Sequence, residues 1–408
     1  MDKVKVAVTG LGIVNSAGLN VEESWANVLQ GNPMAKIDER LDGLSVNWSC
    51  PIVGFNERSS IDPKLMWRID KFVQYLLEAS NEAIADSQLD INESYSKGTR
   101  VGVVVGNSLG GVETLEKSHS KFLEKGESGA KASMIPAVMG NMGAAQIACL
   151  LGIKGPVITI NTACASGGDS IGIAKNLIET GKCDSVIVGC SEAPITPLIV
   201  SSFNRLRALS TNSDLKHSSR PFDQERDGFV ISEGAGVLIV ENEKMAKARN
   251  AFIYGYISGY GTSNDAYHVT TPAPEGDGLK RAVQMALEDA GLSANKIDSI
   301  NAHGTSTHLN DETEGIVFKS IFPHRPVVTS TKGVTGHSLG ATGAVEAIYS
   351  VLSLSQQRIP MVSGLVNPDS SIDLNLATET IDRAHIRNIL SSSVGFGGQN
   401  SVIIFSKK

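Results

Sequence analysis

The sequence predicts an α/β protein with largely buried sheets, and three observations predict it. Short β-branched runs alternate with longer amphipathic ones, the pattern of strands connected by helices. The alternation starts again in the second half of the 408 residues. Glycine is abundant, at 41 residues, which signals many tight turns and close backbone approaches.

Taken in order, KVAVTGLGIV reads as the first strand and IDKFVQYLLEASNEAIADSQ as a helix. RVGVVVGN, VITINTA and SVIVGC are further strands. The second half repeats the scheme: IYGYISGYG, a helix at GLKRAVQMALEDAG, SINAHGT, VVTSTKG, a helix at GATGAVEAIYSVLSLSQQ, and NILSSSVGFGGQNSVIIFSK at the end. No low-complexity linker separates the halves. Two units share a plan without sharing letters: VITINTACASGGDSIGIAKNLIETG is strand, thiol, small-residue helix, and VVTSTKGVTGHSLGATGAVEAIYSV is strand, loop with Lys332 and His337, small-residue helix. The small residues imply helices packed closely against each other or against sheets. These units suggest a duplicated α/β fold with pseudo-twofold symmetry, divided into 1–250 and 251–408.

Composition excludes several classes. Hydrophobic residues make up 41% and charged residues 19%, ordinary for a protein with a sizeable core. A net charge of −7 disfavours nonspecific binding to nucleic acid. Five cysteines, an odd number without paired spacing, favour reduced thiols over a disulfide framework or a metal cluster. MDKVKVAVTGLG enters a strand-like run directly, so no leader is expected, and no run of about 18 apolar residues suggests a membrane span. A cytoplasmic protein is the expectation.

Cys164 stands out within INTACASGG. It lies where a strand meets a helix, where free N–H groups and the helix dipole favour a thiolate and where its own amide is free to bind an oxyanion. Ala163, Ala165, Gly167 and Gly168 leave it uncovered. By contrast, Cys149, Cys183 and Cys190 sit in apolar stretches and read as core. Of the eight histidines, His119, His217, His324 and His385 have polar, exposed-looking neighbours. His303 in INAHGTST and His337 in TKGVTGHSLGATG each follow a strand and are set among Gly, Ser and Thr. One such histidine is as easily a turn cap; two at junctions like that of the cysteine point to a shared site.

INTACASGGDSIG, SRPFDQERDGFVISEGAGVLIVE, DAYHVTTP, INAHGTST, STKGVTGHSLGATGAVE and VGFGGQN together resemble the condensing enzymes of the thiolase fold. The likeness is to the β-ketoacyl-acyl-carrier-protein synthase II group and the ketosynthase subunits of type II polyketide synthases. It runs from residue 6 to residue 400 in the family's order. It implies a five-layered αβαβα arrangement of duplicated halves and a Cys-His-His site. Cys164 would take an acyl group from the phosphopantetheine arm of an acyl carrier protein. His303 and His337 would serve the enolate formed when malonyl-carrier protein loses carbon dioxide, with the Cys164 and Phe396 amides as the oxyanion site. No metal and no bound cofactor is implied, because phosphopantetheine arrives on the carrier.

The resemblance also makes Lys332 and Glu314 a supporting ion pair and Phe396 a gate. It places Leu109, Met134 and Phe203 around the acyl pocket, and Lys64, Arg68, Arg205 and Arg207 at the carrier-protein contact. His308 stands where HGTSTP has proline, Gln399 where GFGGTN has threonine, and Ser338 where leucine is usual. Ser133, Met134 and Gly143 lighten a segment that lines the acyl pocket at the dimer interface. These departures lean towards polyketide or polyene elongation beside a homologous chain-length factor, with a homodimeric fatty-acid enzyme as the alternative. A degradative thiolase would need a second cysteine near the C-terminus, and none follows Cys190. A noncatalytic chain-length partner would lack Cys164.

Overall fold

Val6–Asn15 (β1) is buried at every residue because it lies inside a sheet with neighbours on both edges. The computed structural model describes residues 4–91 and 96–407. The first half adds Val101–Gly106 (β2), Val157–Ile160 (β3), Ser185–Glu192 (β4) and Gly234–Asn242 (β5). The second half adds Gly255–Asn264 (β6), Ser299–Asn301 (β7), Val327–Thr329 (β8), Asn375–Leu376 (β9), Asn388–Gly395 (β10) and Gln399–Ser406 (β11). Across the sheet they run β9-β8-β7-β10-β11-β6-β1-β5-β4-β2-β3.

Apart from the edge strand β9, each half repeats one order in its own chain sequence: third, second, fourth, fifth, first. Directions repeat as well. In the first half β2 is parallel to β3 and β4, and β5 is antiparallel to β4 and β1. In the second half β7 is parallel to β8 and β10, and β11 is antiparallel to β10 and β6. The duplication suggested by two faintly similar units is thus complete in topology. Within the sheet the halves join where Val6–Val8 pairs with Gly255–Ile257.

The helices that position the site are Lys71–Ser87 (α1), Val112–Lys125 (α2), Met134–Val138 (α3), Met142–Leu151 (α4), Ser166–Glu179 (α5), Pro197–Arg205 (α6), Asp277–Ala290 (α7), His308–Ile321 (α8), Lys332–Thr335 (α9) and Thr342–Gln356 (α10). α1 covers the outer face of the first half, and α7, with α8 beside it, covers the second. Between the halves, α5 and α10 touch strands of both, which gives five αβαβα layers. Their small residues explain the close fit: a β-carbon on Gly167 would lie 2.4 Å from the Ala344 nitrogen. α10 is buried along nearly its whole length, so it carries apolar and small residues on every side.

All five cysteines are free; Cys183 and Cys190 are buried, but Cys149 is exposed, contrary to its apolar context. α4 is apolar all round and buries Gly143, Ala144, Ile147 and Ala148 while turning Cys149 and Leu150 outward, so its pattern did not mark an inner face. Among the described residues no helix is long and apolar enough to cross a membrane.

Candidate active site

Cys164 occupies the turn between β3 and α5. The turn is made by Ala163 at φ 50, a left-handed conformation that an L-residue adopts only when its surroundings hold it there. They do: the Thr162 N–H donates to Ser166 Oγ at 2.9 Å, and the Thr162 hydroxyl donates to Asp169 Oδ2 at 2.6 Å. The first turn of α5 therefore fixes the residues just before the thiol. Cys164 opens into a cavity of about 490 Å³.

His303 and His337 reach the same cavity from the second half and are buried. His337 Nε2 lies 3.2 Å from Cys164 Sγ, and its Nδ1 lies 3.1 Å from Thr342 Oγ1 in the first turn of α10. The two imidazole rings stand 5.2 Å apart, nearly perpendicular, and Phe229 meets His337 edge-on at 5.1 Å. On α8, the Glu314 carboxylate accepts the N–H groups of His303 at 2.7 Å and Gly304 at 2.6 Å, which pins the turn that carries His303.

Glu314 is not the ionic partner of Lys332, as the resemblance implied. Lys332 Nζ donates to the Glu346 carboxylate and to the His303 carbonyl, and both side chains of that pair are buried. The physical reason is that the Glu314 oxygens are already taken by backbone N–H groups, the Ser392 hydroxyl and the Asn310 amide. Glu346 was missed in the sequence, although a lone acid within GATGAVEAIYS is a signal: a carboxylate in a small-residue helix needs a buried cation.

Electrostatics correct a second expectation. Burial pushes the Cys164 thiol up to about 12, against the opposing pull of Lys332. The helix start does not leave a resting thiolate; the cost of desolvating sulfur wins. Burial, reinforced by Lys332, holds both histidines well below their usual 6.5, so they are neutral at pH 7. A thiol beside a neutral imidazole at 3.2 Å is a proton donor beside an acceptor, which suits deprotonation at the moment of attack.

The strand end at Gly395 backs the thiol turn so closely that a β-carbon there would lie 3.1 Å from the Cys164 nitrogen. Phe396 follows it and lines the cavity, its ring 6.4 Å from that of Phe203. Among the described residues neither the Cys164 nor the Phe396 N–H has an acceptor, so both are free to meet an oxyanion. Cys164, His303 and His337 also offer ligand atoms within 4.8 Å of one another, close enough for one ion. Two free N–H groups and the Lys332 ammonium nearby favour an anion there instead.

Leu109 and Phe203 line the cavity, but Met134 does not, because α3 lies at the surface with Ile135 and Met139 exposed beside it. Arg207 is exposed and lines the cavity; Lys64, Arg68 and Arg205 are exposed but do not line it. Among the described residues Arg68, Arg205 and Arg207 have no ion-pair partner, whereas most other arginines are paired.

Residues 3–246 match the model of the beta-ketoacyl synthase N-terminal domain, and residues 254–365 match that of the C-terminal domain. The chain is 42% identical to a 3-oxoacyl-[acyl-carrier-protein] synthase 2 of Staphylococcus aureus over 99% of its length and 98% of that protein. The corresponding Synechocystis protein is 38% identical, covering 100% of this chain and 99% of that one. Among solved structures, the complex of a type II PKS acyl-carrier protein with its ketosynthase bound to a hexaketide superposes with a TM-score of 0.92 at 31% identity, covering 100% of both chains. A beta-ketoacyl synthase from Burkholderia phymatum gives a TM-score of 0.91 at 31% identity, covering 99% of this chain and 100% of that one.

Proposed function

The chain belongs to the β-ketoacyl synthase family, the acyltransferases that carry out the condensation step of fatty acid or polyketide synthesis, and from that premise we propose that Cys164, His303 and His337 perform a decarboxylative Claisen condensation. The carrying observation is the His337 Nε2 to Cys164 Sγ distance of 3.2 Å on a turn whose thiol amide is free. In the first half-reaction sulfur attacks the acyl thioester of a carrier protein while its proton passes to His337. Negative charge gathers on the carbonyl oxygen, facing the Cys164 and Phe396 N–H groups. The carbon–sulfur bond to the phosphopantetheine arm then breaks, and His337 returns the proton to the departing thiol.

In the second half-reaction a malonyl arm enters and its carboxylate leaves as carbon dioxide. The released electron pair forms an enolate whose oxygen accepts from His303 and from His337, whose neutral ring now carries its proton on Nε2 while Nδ1 accepts from the Thr342 hydroxyl. Its carbon attacks the acyl group on Cys164, and the thiolate departs and regains a proton from water. Product and carrier leave with one new carbon–carbon bond and an unchanged enzyme. Lys332 acts through the His303 carbonyl, a positioning role.

An acyl carrier protein is the partner that brings both substrates, docking near Arg207 with Lys64, Arg68 and Arg205 as further contacts. A homologous subunit, a second copy or a chain-length factor, covers the exposed apolar face made by Leu115, Phe122 and Leu123 of α2, Ile135 of α3 and Val157 of β3. In that dimer Met134 of one subunit reaches its partner's acyl pocket. Carrier-borne substrates make the cytoplasm the setting. Incubation with acyl-carrier protein should add one acyl mass to the protein, and Cys164→Ala should abolish it in intact-protein mass spectrometry. An acylated Cys164→Ala variant would sink the assignment.

A further inference from the structure

Glu192, the last residue of β4, is fully buried where two walls of the cavity meet. One carboxylate oxygen accepts the Ser108 N–H at 2.7 Å and the Ser108 hydroxyl; the other accepts the Leu109 N–H at 3.1 Å. Gly340 packs directly against the same carboxylate. Ser108 and Leu109 form the arch between β2 and α2, and Leu109 projects into the cavity. Gly340 follows Leu339, which lines the cavity too, and lies three residues beyond His337. It presses so hard on the arch that a β-carbon would sit 2.8 Å from both a Glu192 oxygen and the Ser108 nitrogen. The arch is also held by Asn161, whose Nδ2 donates to the Ser108 carbonyl at 3.0 Å; beyond it the chain turns at Gly110, φ 64, and the Gly111 N–H donates to the Val138 carbonyl at 3.2 Å.

One carboxylate therefore holds two N–H groups and a hydroxyl of the arch while a segment far away in the sequence packs against it at Gly340. Two acceptor oxygens are needed for this, which the carboxylate supplies above about pH 7; an amide would turn an NH₂ group against an N–H. An uncompensated buried carboxylate would be costly, and here the arch fills its acceptors while Gly340 of the other wall packs against it. The charge is near enough to that thiol to oppose its ionisation.

We propose that Glu192 is a positioning residue that sets the aperture between Leu109 and Leu339, and through it the length of acyl chain that Cys164 accepts. The inference rests on the reading that Cys164 is acylated. In the test, wild type, Glu192→Gln, Leu109→Ala and the double variant receive carrier-bound acyl chains from short to long. Acyl-enzyme mass is recorded, with KM and kcat at each length.

Glu192→Gln should change the long-to-short ratio of kcat/KM by about tenfold, the scale of one methylene in an apolar pocket, mostly through KM. Leu109→Ala should shift the ratio too, and the double variant should shift it no further than Leu109→Ala alone. An unchanged ratio in Glu192→Gln, or effects that multiply in the double variant, would overturn the proposal. If Glu192→Gln does not fold, Ser108→Ala removes only the hydroxyl donor and should move the ratio in the same direction by less; no movement there overturns it equally. A wild type that takes no acyl group defeats the condensation reading itself, whereas a wild type that loads and a variant with its chain-length profile defeat this inference alone.

Discussion

Cys164 shows what a residue's local sequence does and does not reveal. Its place at a strand-to-helix turn among small residues was legible, as were His303 and His337, because each sits at a strand end with no bulky neighbour to hide it. Its ionisation was not legible. That depends on burial by segments distant in sequence, and burial pushes the thiol up to about 12 where helix-start reasoning alone lowers it. Alkylation by iodoacetamide should therefore accelerate roughly tenfold per pH unit from pH 7 to 9 with no plateau, because the thiolate fraction stays far from saturation. Lys332 lowers the thiol, so its loss must raise it and slow alkylation at any fixed pH. Lys332→Met is best made in a Glu346→Gln background, which avoids stranding a buried carboxylate at a cost of about 3–5 kcal/mol. It should react more slowly than Glu346→Gln alone; a plateau near neutrality in the wild type, or faster reaction on losing Lys332, would contradict this account.

Between elements, the decisive contact is α5 against α10, since α5 starts just after Cys164 and α10 just after the His337 loop. The small residues in both helices announced a close approach, and the structure puts it between the helices themselves: a β-carbon on Gly343 would lie 3.1 Å from Gly167 Cα. Gly167→Ala should gain up to about 1 kcal/mol in helix propensity yet lose about 1–3 kcal/mol to overpacking against the Ala344 backbone. A net fall in thermal midpoint, with slower acyl loading as Cys164 and His337 move apart, is expected; equal or greater stability with unchanged loading would show that the helices have slack. The sequence carried this packing because smallness is a local property. It did not carry the partner of Lys332, since Glu314 and Glu346 are both acids near the motif. Only the fold shows that one is saturated by backbone donors and the other free for the cation. Met134 failed for a similar reason: its segment reads as apolar, but whether it faces the cavity or the surface is decided by where the rest of the fold places α3.

Over the whole molecule, the duplicated topology brings together acids and histidines whose burial opposes charge, and their titration should set the pH dependence of stability. Burial raises the carboxyls of Glu82 and Glu192 to about 7 from 4.5, although Glu82 accepts the N–H groups of Ile13 and Val21. Between pH 4.5 and 7 the native state thus holds protons that the unfolded chain releases, so stability rises as pH falls from 8 to 6 and is lost as pH rises through 7. Each group contributes about 1.4 kcal/mol over that interval. The histidines act in the opposite sense: His303 and His337 are held well below 6.5, so below that pH the unfolded chain gains protons that the native site refuses, and stability erodes. Urea midpoints at fixed protein concentration should therefore be higher at pH 6 than at pH 8 and turn down at lower pH as the histidine contribution takes over. Glu82→Gln, remote from the cavity, should flatten the rise between pH 8 and 6 while leaving the acid-side fall, because it removes one raised carboxyl and neither histidine. A wild-type midpoint that is flat or falling from pH 8 to 6, or a Glu82→Gln variant with the wild-type slope, would mean that these carboxyls stay ionised in the fold and that bound water or local opening solvates them.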